Sequence, residues 1–158
     1  MNPTRNNLPL KVRKEVITLL NARLADAIDL GLQAKQAHWN VKGPQFFPLH
    51  ELFDKVAASA TEAVDTIAER AVALGGTAEG TIEAVAKATT LPRYPLNVAE
   101  GKGHIERLAQ ALATFGEQVR DAIDRADQFG DKDTADLFTG VSRDADKYLW
   151  FVEAHLQK

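Results

Sequence analysis

The chain has 158 residues, a formal net charge of −3 and no cysteine, which suits one domain with a sizeable core and excludes disulfides and thiolate metal sites. Apolar residues make up 45% and charged residues 26%, and no apolar run reaches the roughly 18 residues of a membrane span. The first residues carry no apolar stretch of the kind a secretory signal needs, so a cytoplasmic protein is expected, and the negative balance gives no whole-molecule attraction to DNA or anionic lipid.

From Leu10 to about Asn40, the apolar residues Val16, Ile17, Leu20, Leu24, Ile28, Leu32 and Ala37 recur at spacings of three and four, as on one face of a long amphipathic helix. Gly43-Pro44 ends it, because proline cannot continue a helix and restricts the residue before it. A second helix is predicted from about Pro48 to Leu74, stopped by Gly75-Gly76. Gly80, Pro92 and Pro95 mark residues 77–97 as a long crossover, within which Thr81 to Ala88 can form a short helix. Ile105, Leu108, Leu112, Phe115, Val119 and Ile123 define a third long helix from Val98 to about Gln128. After the break at Gln128-Phe129-Gly130-Asp131, a fourth runs to the C-terminus through Leu137, Val141, Tyr148, Leu149 and Val152. Strand patterning is absent. The expectation is an all-α, ferritin-like four-helix bundle over 11–158, with a long crossover between the second and third long helices and a short N-terminal tail over 1–10.

The second helix carries the chemistry. His50 and Asp54 are four residues apart, as are Asp65 and Glu69, so each pair lies on one face. Asp65 follows Asp54 by eleven residues, close to three whole turns, and all four side chains share one stripe. This donor set suits iron, manganese or zinc and is a poor copper(I) site. One helix cannot gather the four around a metal, since Asp54 and Asp65 are roughly 16 Å apart along the axis. In an antiparallel pair of second helices, however, Asp65 and Glu69 of one copy face His50 and Asp54 of the other. Ala57-Ala58-Ser59-Ala60-Thr61, at the midpoint, is small enough for close approach. The pattern therefore suggests a dimer with two equivalent metal sites at an isologous interface. Carboxylates spaced by four are more often a solvated face or salt-bridge partners. Here few cations stand at the right spacing, and His38 adds a further ligand type.

His38 lies in Lys35-Gln36-Ala37-His38-Trp39-Asn40-Val41-Lys42-Gly43-Pro44, followed by Phe46-Phe47-Pro48-Leu49-His50-Glu51-Leu52-Phe53-Asp54 and later by Asp65-Thr66-Ile67-Ala68-Glu69-Arg70. These segments, with Arg93-Tyr94-Pro95-Leu96 and Ser142-Arg143-Asp144-Ala145-Asp146, resemble the signature segments of the DNA-protection-during-starvation (Dps) mini-ferritins over essentially all of the chain after about residue 15. The resemblance implies a ferroxidase site between two subunits, one supplying His38, His50 and Asp54 and its two-fold mate Asp65 and Glu69, with two irons per site. All five positions hold residues of the family's types. Trp39 matches a tryptophan that intercepts stray oxidising equivalents in that family, although packing would equally account for it. A dodecameric cage is implied, with three-fold pores lined by acids for which Asp133, Asp136 and Asp146 are candidates. For Asp133, stabilisation of a helix start is an equally good account. The implied activity is oxidation of ferrous iron, preferentially by hydrogen peroxide, with storage of the ferric mineral and protection of DNA from oxidative damage. The larger ferritins use a Glu-x-x-His motif. None occurs here, as the residues three before His38, His50, His104 and His155 are Lys35, Phe47, Gly101 and Val152.

DNA binding is the competing reading, a nucleoid-associated coat with secondary iron chemistry. Some Dps proteins bind DNA through a lysine-rich tail. Here Arg5 is the sole cation before the first helix, with Lys11, Arg13 and Lys14 following. Four cations repeated over a multimer can sum to useful avidity, but the short tail and net negative charge make direct DNA binding the less favoured expectation. His104 and His155 have no partner evident in the sequence and are expected at the surface or in packing.

Overall fold

A computed structural model describes residues 1–157. Lys158, the last residue of the expected domain, lies outside them. The element order is α1 (Leu10–Asn40), α2 (Phe46–Ala73), α3 (Ile82–Ala88), α4 (Gly101–Phe129) and α5 (Lys132–Glu153). Four long helices pair as two hairpins, α1 with α2 and α4 with α5. α1 also packs on α4, and α2 on α5. The crossover from α2 to α4 carries the short α3 against α1. Among the described residues no helix is long and apolar enough to cross a membrane.

Local chemistry sets the helix ends. Among the described residues Gly43, Gly75 and Gly130 have positive φ, and the last two terminate α2 and α4. α2 begins at Phe46, two residues before the expected Pro48. Proline is harmless there because the first N–H groups of a helix have no intrahelical acceptor. Thr81 caps α3 by accepting from the Ala84 N–H, and Asp131 caps α5 by accepting from the Thr134 N–H.

Phe53, Ile67, Leu108, Phe115 and Phe138 fill the core together with Leu20 and Leu24. Full burial of each such side chain contributes roughly 1.5–3 kcal/mol. Most of the expected face of α1 points inward, but Leu32 is 59% exposed, while Leu19, Ala27, Leu30 and Ala34 are buried instead. The reason is that α1 serves two neighbours, α2 and α4, so its apolar surface is wider than one stripe.

A polar row on α1 anchors the crossover. Asn21 bonds Thr77 and Glu79, Asp26 accepts from the N–H and hydroxyl of Thr90, Asp29 accepts from the Thr89 hydroxyl, and Gln33 donates to the Pro92 carbonyl. Asp26 is fully buried and ion-paired with Arg23 at 2.9 Å, whose guanidinium also donates to Gln118 on α4. A buried carboxylate needs such partners to remain charged.

Candidate metal centre at an unpartnered helix face

The Gly43-Pro44 turn folds α2 back along α1 and brings the last turn of α1 against the first turns of α2. That register stacks His38 on His50, with ring centroids 3.7 Å apart and planes 21° off parallel. His38 Nδ1 lies 2.7 Å from the His50 carbonyl oxygen, and His50 Nδ1 lies 2.9 Å from the His38 carbonyl oxygen. A carbonyl only accepts, so each Nδ1 is assigned as the donor. Each ring is then left with Nε2 as its ligating nitrogen, the orientation in which a main-chain carbonyl prepares histidine to hold a metal. Phe46 packs beside His50 at 5.1 Å and shields one side of the pair.

Asp54 lies one turn beyond His50 and is exposed. Its Oδ1 accepts from Lys35 Nζ at 2.6 Å. This hydrogen bond holds the Asp54 carboxyl below the usual carboxylate range against the opposing effect of desolvation. The charge of Lys35 and the nearby His38 and His50 act in the same direction. The sequence reading found few cations at the right spacing and missed Lys35. It stands nineteen residues from Asp54, so only the α1–α2 register reveals the pairing.

Asp65 and Glu69 occupy the far end of α2, exposed and without an ion pair among the described residues. Within one chain, no three histidine or acidic side chains among the described residues converge as a metal-holding group. The two halves of the expected ligand set thus lie apart, His38 on the last turn of α1 with His50 and Asp54 near the start of α2, and Asp65 and Glu69 toward the far end of α2. Between them runs a cleft of about 460 Å³ lined by Gly31, Leu32, Ala57, Ala58 and Thr61. Its floor is small side chains, and Leu32 and Trp39 (65% exposed) stand along the same flank. Lys35 Nζ sits 5.8 Å from the Trp39 ring centroid, within cation–π range.

The acids proposed for a pore differ among themselves. Asp146 is paired with Arg120 at 2.8 Å. Asp133, 85% exposed, is 3.8 Å from Arg70. Asp136 is exposed and unpaired among the described residues.

The remaining histidines separate. His155 is exposed and its Nδ1 donates to the Phe151 carbonyl. His104, expected at the surface or in packing, is fully buried at the start of α4, where its Nδ1 meets the Tyr94 hydroxyl. The N-terminal segment is docked: the Asn2 N–H donates to the Gly75 carbonyl at 2.7 Å, and Arg13 donates to the carbonyls of Leu8 and Leu74. Arg13 is thereby withdrawn from the cationic patch that the sequence suggested.

Residues 17–158 match the ferritin-like domain family. The chain is 48% identical over 155 residues to the DNA protection during starvation protein of Agrobacterium fabrum, covering 98% of this chain and 96% of that one. DpsC from Streptomyces coelicolor superimposes with a TM-score of 0.93 at 36% identity, covering all of this chain and 91% of the other. Dps from Microbacterium arborescens, solved in a high iron form, superimposes with a TM-score of 0.89 at 31% identity, covering 95% and 97%. With the bundle, its crossover and likeness over nearly the whole length in agreement, the chain belongs to the Dps family of ferritin-like proteins.

Proposed function

We propose that this chain is a ferroxidase and iron store whose oxidising sites are completed across a two-fold pair, with ferrous iron as substrate and hydrogen peroxide as the preferred oxidant. The observation that carries the reading is the His38–His50 pair, whose reciprocal bonds to main-chain carbonyls leave both Nε2 atoms free beside an exposed cleft of small residues. An antiparallel α2 from a second copy, seated along that cleft, brings its Asp65 and Glu69 to His38, His50 and Asp54. Lys35 neutralises Asp54 until a cation displaces its ammonium group. Imidazole nitrogens and carboxylate oxygens suit ferrous and ferric iron alike.

Two ferrous ions at such a site each give one electron to one peroxide, which with two protons leaves as two waters. The O–O bond breaks by two electrons at once, so a site holding both irons releases no hydroxyl radical, whereas a site holding one ferrous ion gives peroxide a single electron and releases one. Trp39, exposed on the same flank, would catch single equivalents that escape. The ferric product is stored inside a cage, a dodecamer by family resemblance, in the cytoplasm and near the nucleoid that it protects chemically. The high iron form of the Microbacterium arborescens relative supports iron as cargo. Of the acids suggested for the pore, Asp136 fits best, because Asp133 and Asp146 have cationic neighbours. Direct DNA binding is not favoured, as the docked tail leaves only Arg5, Lys11 and Lys14 free of the contacts that hold Arg13.

The test is anaerobic loading with ferrous iron, addition of peroxide, and stopped-flow detection of ferric absorbance beside Asp65→Ala. Loss of a mere outer partner of a metal site costs roughly 10–100-fold, so a direct ligand should cost at least that. Rapid oxidation at one peroxide per two irons, lost in the variant, supports the reading. Equal slow rates in both would overturn it and bring the DNA-coating alternative forward, to be judged by gel shift at two salt concentrations.

A further inference from the structure

One buried histidine lies outside the expected ligand set. His104 is fully buried at the start of α4. Its Nδ1 meets the Tyr94 hydroxyl, the two rings lying nearly parallel with centroids 6.0 Å apart, and Phe53 packs on it at 6.3 Å. Its Nε2 is buried without a hydrogen-bond partner. With the phenol assigned as the donor to Nδ1, the hydrogen of the neutral ring sits on Nε2. Burial holds the His104 imidazole below its ordinary range, and burial pushes the Tyr94 phenol well above its own. The resting pair is therefore neutral, a phenol aimed at an unprotonated base.

We infer that Tyr94 and His104 form a redox-active pair that takes up single oxidising equivalents from the flank carrying His38 and Trp39. A phenol in a poorly hydrated site gives up an electron readily only if its proton has somewhere to go, and here the acceptor is already in place. The phenol loses one electron, its O–H proton passes to His104 Nδ1, and the products are a neutral phenoxyl and an imidazolium. The oxidant is a hydroxyl radical, which leaves as water after taking the electron and a proton, or a Trp39 indole already oxidised by one electron, which is restored.

Trp39 and His104 are linked through the main chain: Lys42, three residues after Trp39, bridges to Glu100, whose carbonyl accepts from the His104 N–H, and His104 holds Tyr94. Lys35 over the Trp39 ring disfavours a lasting positive charge there, whereas oxidation of Tyr94 leaves no net charge on the phenol. An arriving ferrous ion returns the electron and the proton comes back from His104, so one radical and one proton are spent in making one ferric ion and one water. The inference rests on the ferroxidase reading only for the source of the oxidant.

The test separates the two. Metal-free, full-length protein is oxidised by photogenerated tris(bipyridyl)ruthenium(III), frozen, and read by electron paramagnetic resonance. The chain holds two tyrosines, Tyr94 and Tyr148. A tyrosyl signal that survives Tyr148→Phe, disappears in Tyr94→Phe and forms severalfold more slowly in deuterium oxide supports the pair. A signal that survives Tyr94→Phe, or forms without an isotope effect in wild type, overturns it, and neither reading requires a folded His104 variant. With ferrous iron and peroxide, the same signal should appear in trace amounts. Rapid iron oxidation with no Tyr94 signal would also overturn the inference, while absent iron oxidation would count against the ferroxidase reading and leave the photochemical result to decide this one.

Discussion

Replacing Asp131 by alanine removes the strongest tie between the end of α2 and the start of α5. Asp131 is 2% exposed. Its carboxylate accepts from Arg70 Nη2 at 2.8 and 3.0 Å, from the Thr134 N–H at 3.1 Å and from the Thr134 hydroxyl at 2.6 Å. Loss of the helix cap costs about 1 kcal/mol. Stranding the partner of a fully buried ion pair costs roughly 3–5 kcal/mol. The Arg70 side chain retains 17% exposure, so water can reach it and the lower figure is discounted to about 2 kcal/mol. Asp133, 85% exposed and 3.8 Å away, replaces little of this. The sum, about 3 kcal/mol, corresponds to a fall in melting temperature of roughly 6–12 °C for a chain of this size. Circular dichroism at matched protomer concentration measures it, because assembly makes the midpoint concentration-dependent.

The pH dependence supplies a second check. Burial works to raise the Asp131 carboxyl, but hydrogen bonds from Thr134 and Arg70 outweigh it and hold the group below its ordinary 3.8. A depressed carboxyl contributes stability that is present above its unfolded value and lost as pH falls through the folded one. The gap between wild type and variant should therefore be constant above about pH 5 and should shrink below pH 3.8. A melting shift under about 2 °C, or a gap that widens on acidification, would refute the reasoning. Because Arg70 follows Glu69, the variant should also slow iron oxidation, though less than Asp65→Ala.

Gly75→Ala places a methyl 2.7 Å from the Asn2 carbonyl oxygen at a φ of +87°, a conformation that costs an L-residue about 1–2 kcal/mol. The docked tail should come away and trypsin should cut after Arg5 several times faster; an unchanged cutting rate would mean that Gly75 does not hold the tail. Ala58→Trp fills the exposed cleft between α1 and α2 without touching the core. Helix content should be retained while sedimentation shows smaller species and rapid iron oxidation is lost, whereas an intact assembly with full activity would place the subunit contact elsewhere.

Apolar periodicity and turn residues are local properties, and they specified the four long helices, the crossover and the glycine stops to within a few residues. The five candidate ligands were legible for the same reason, since spacing along one helix decides which side chains share a face and the resemblance extended the set to His38. What spacing cannot convey is the register between two helices. That register alone stacks His38 on His50, turns each Nδ1 to the other's carbonyl and pairs Lys35 with Asp54. Tertiary packing likewise buried His104 against Tyr94, exposed Leu32, docked the N-terminal segment on Gly75 and drew Asp133 and Asp146 toward arginines. Each of these depends on residues brought together from different parts of the chain, and such contacts leave no periodic trace in the sequence.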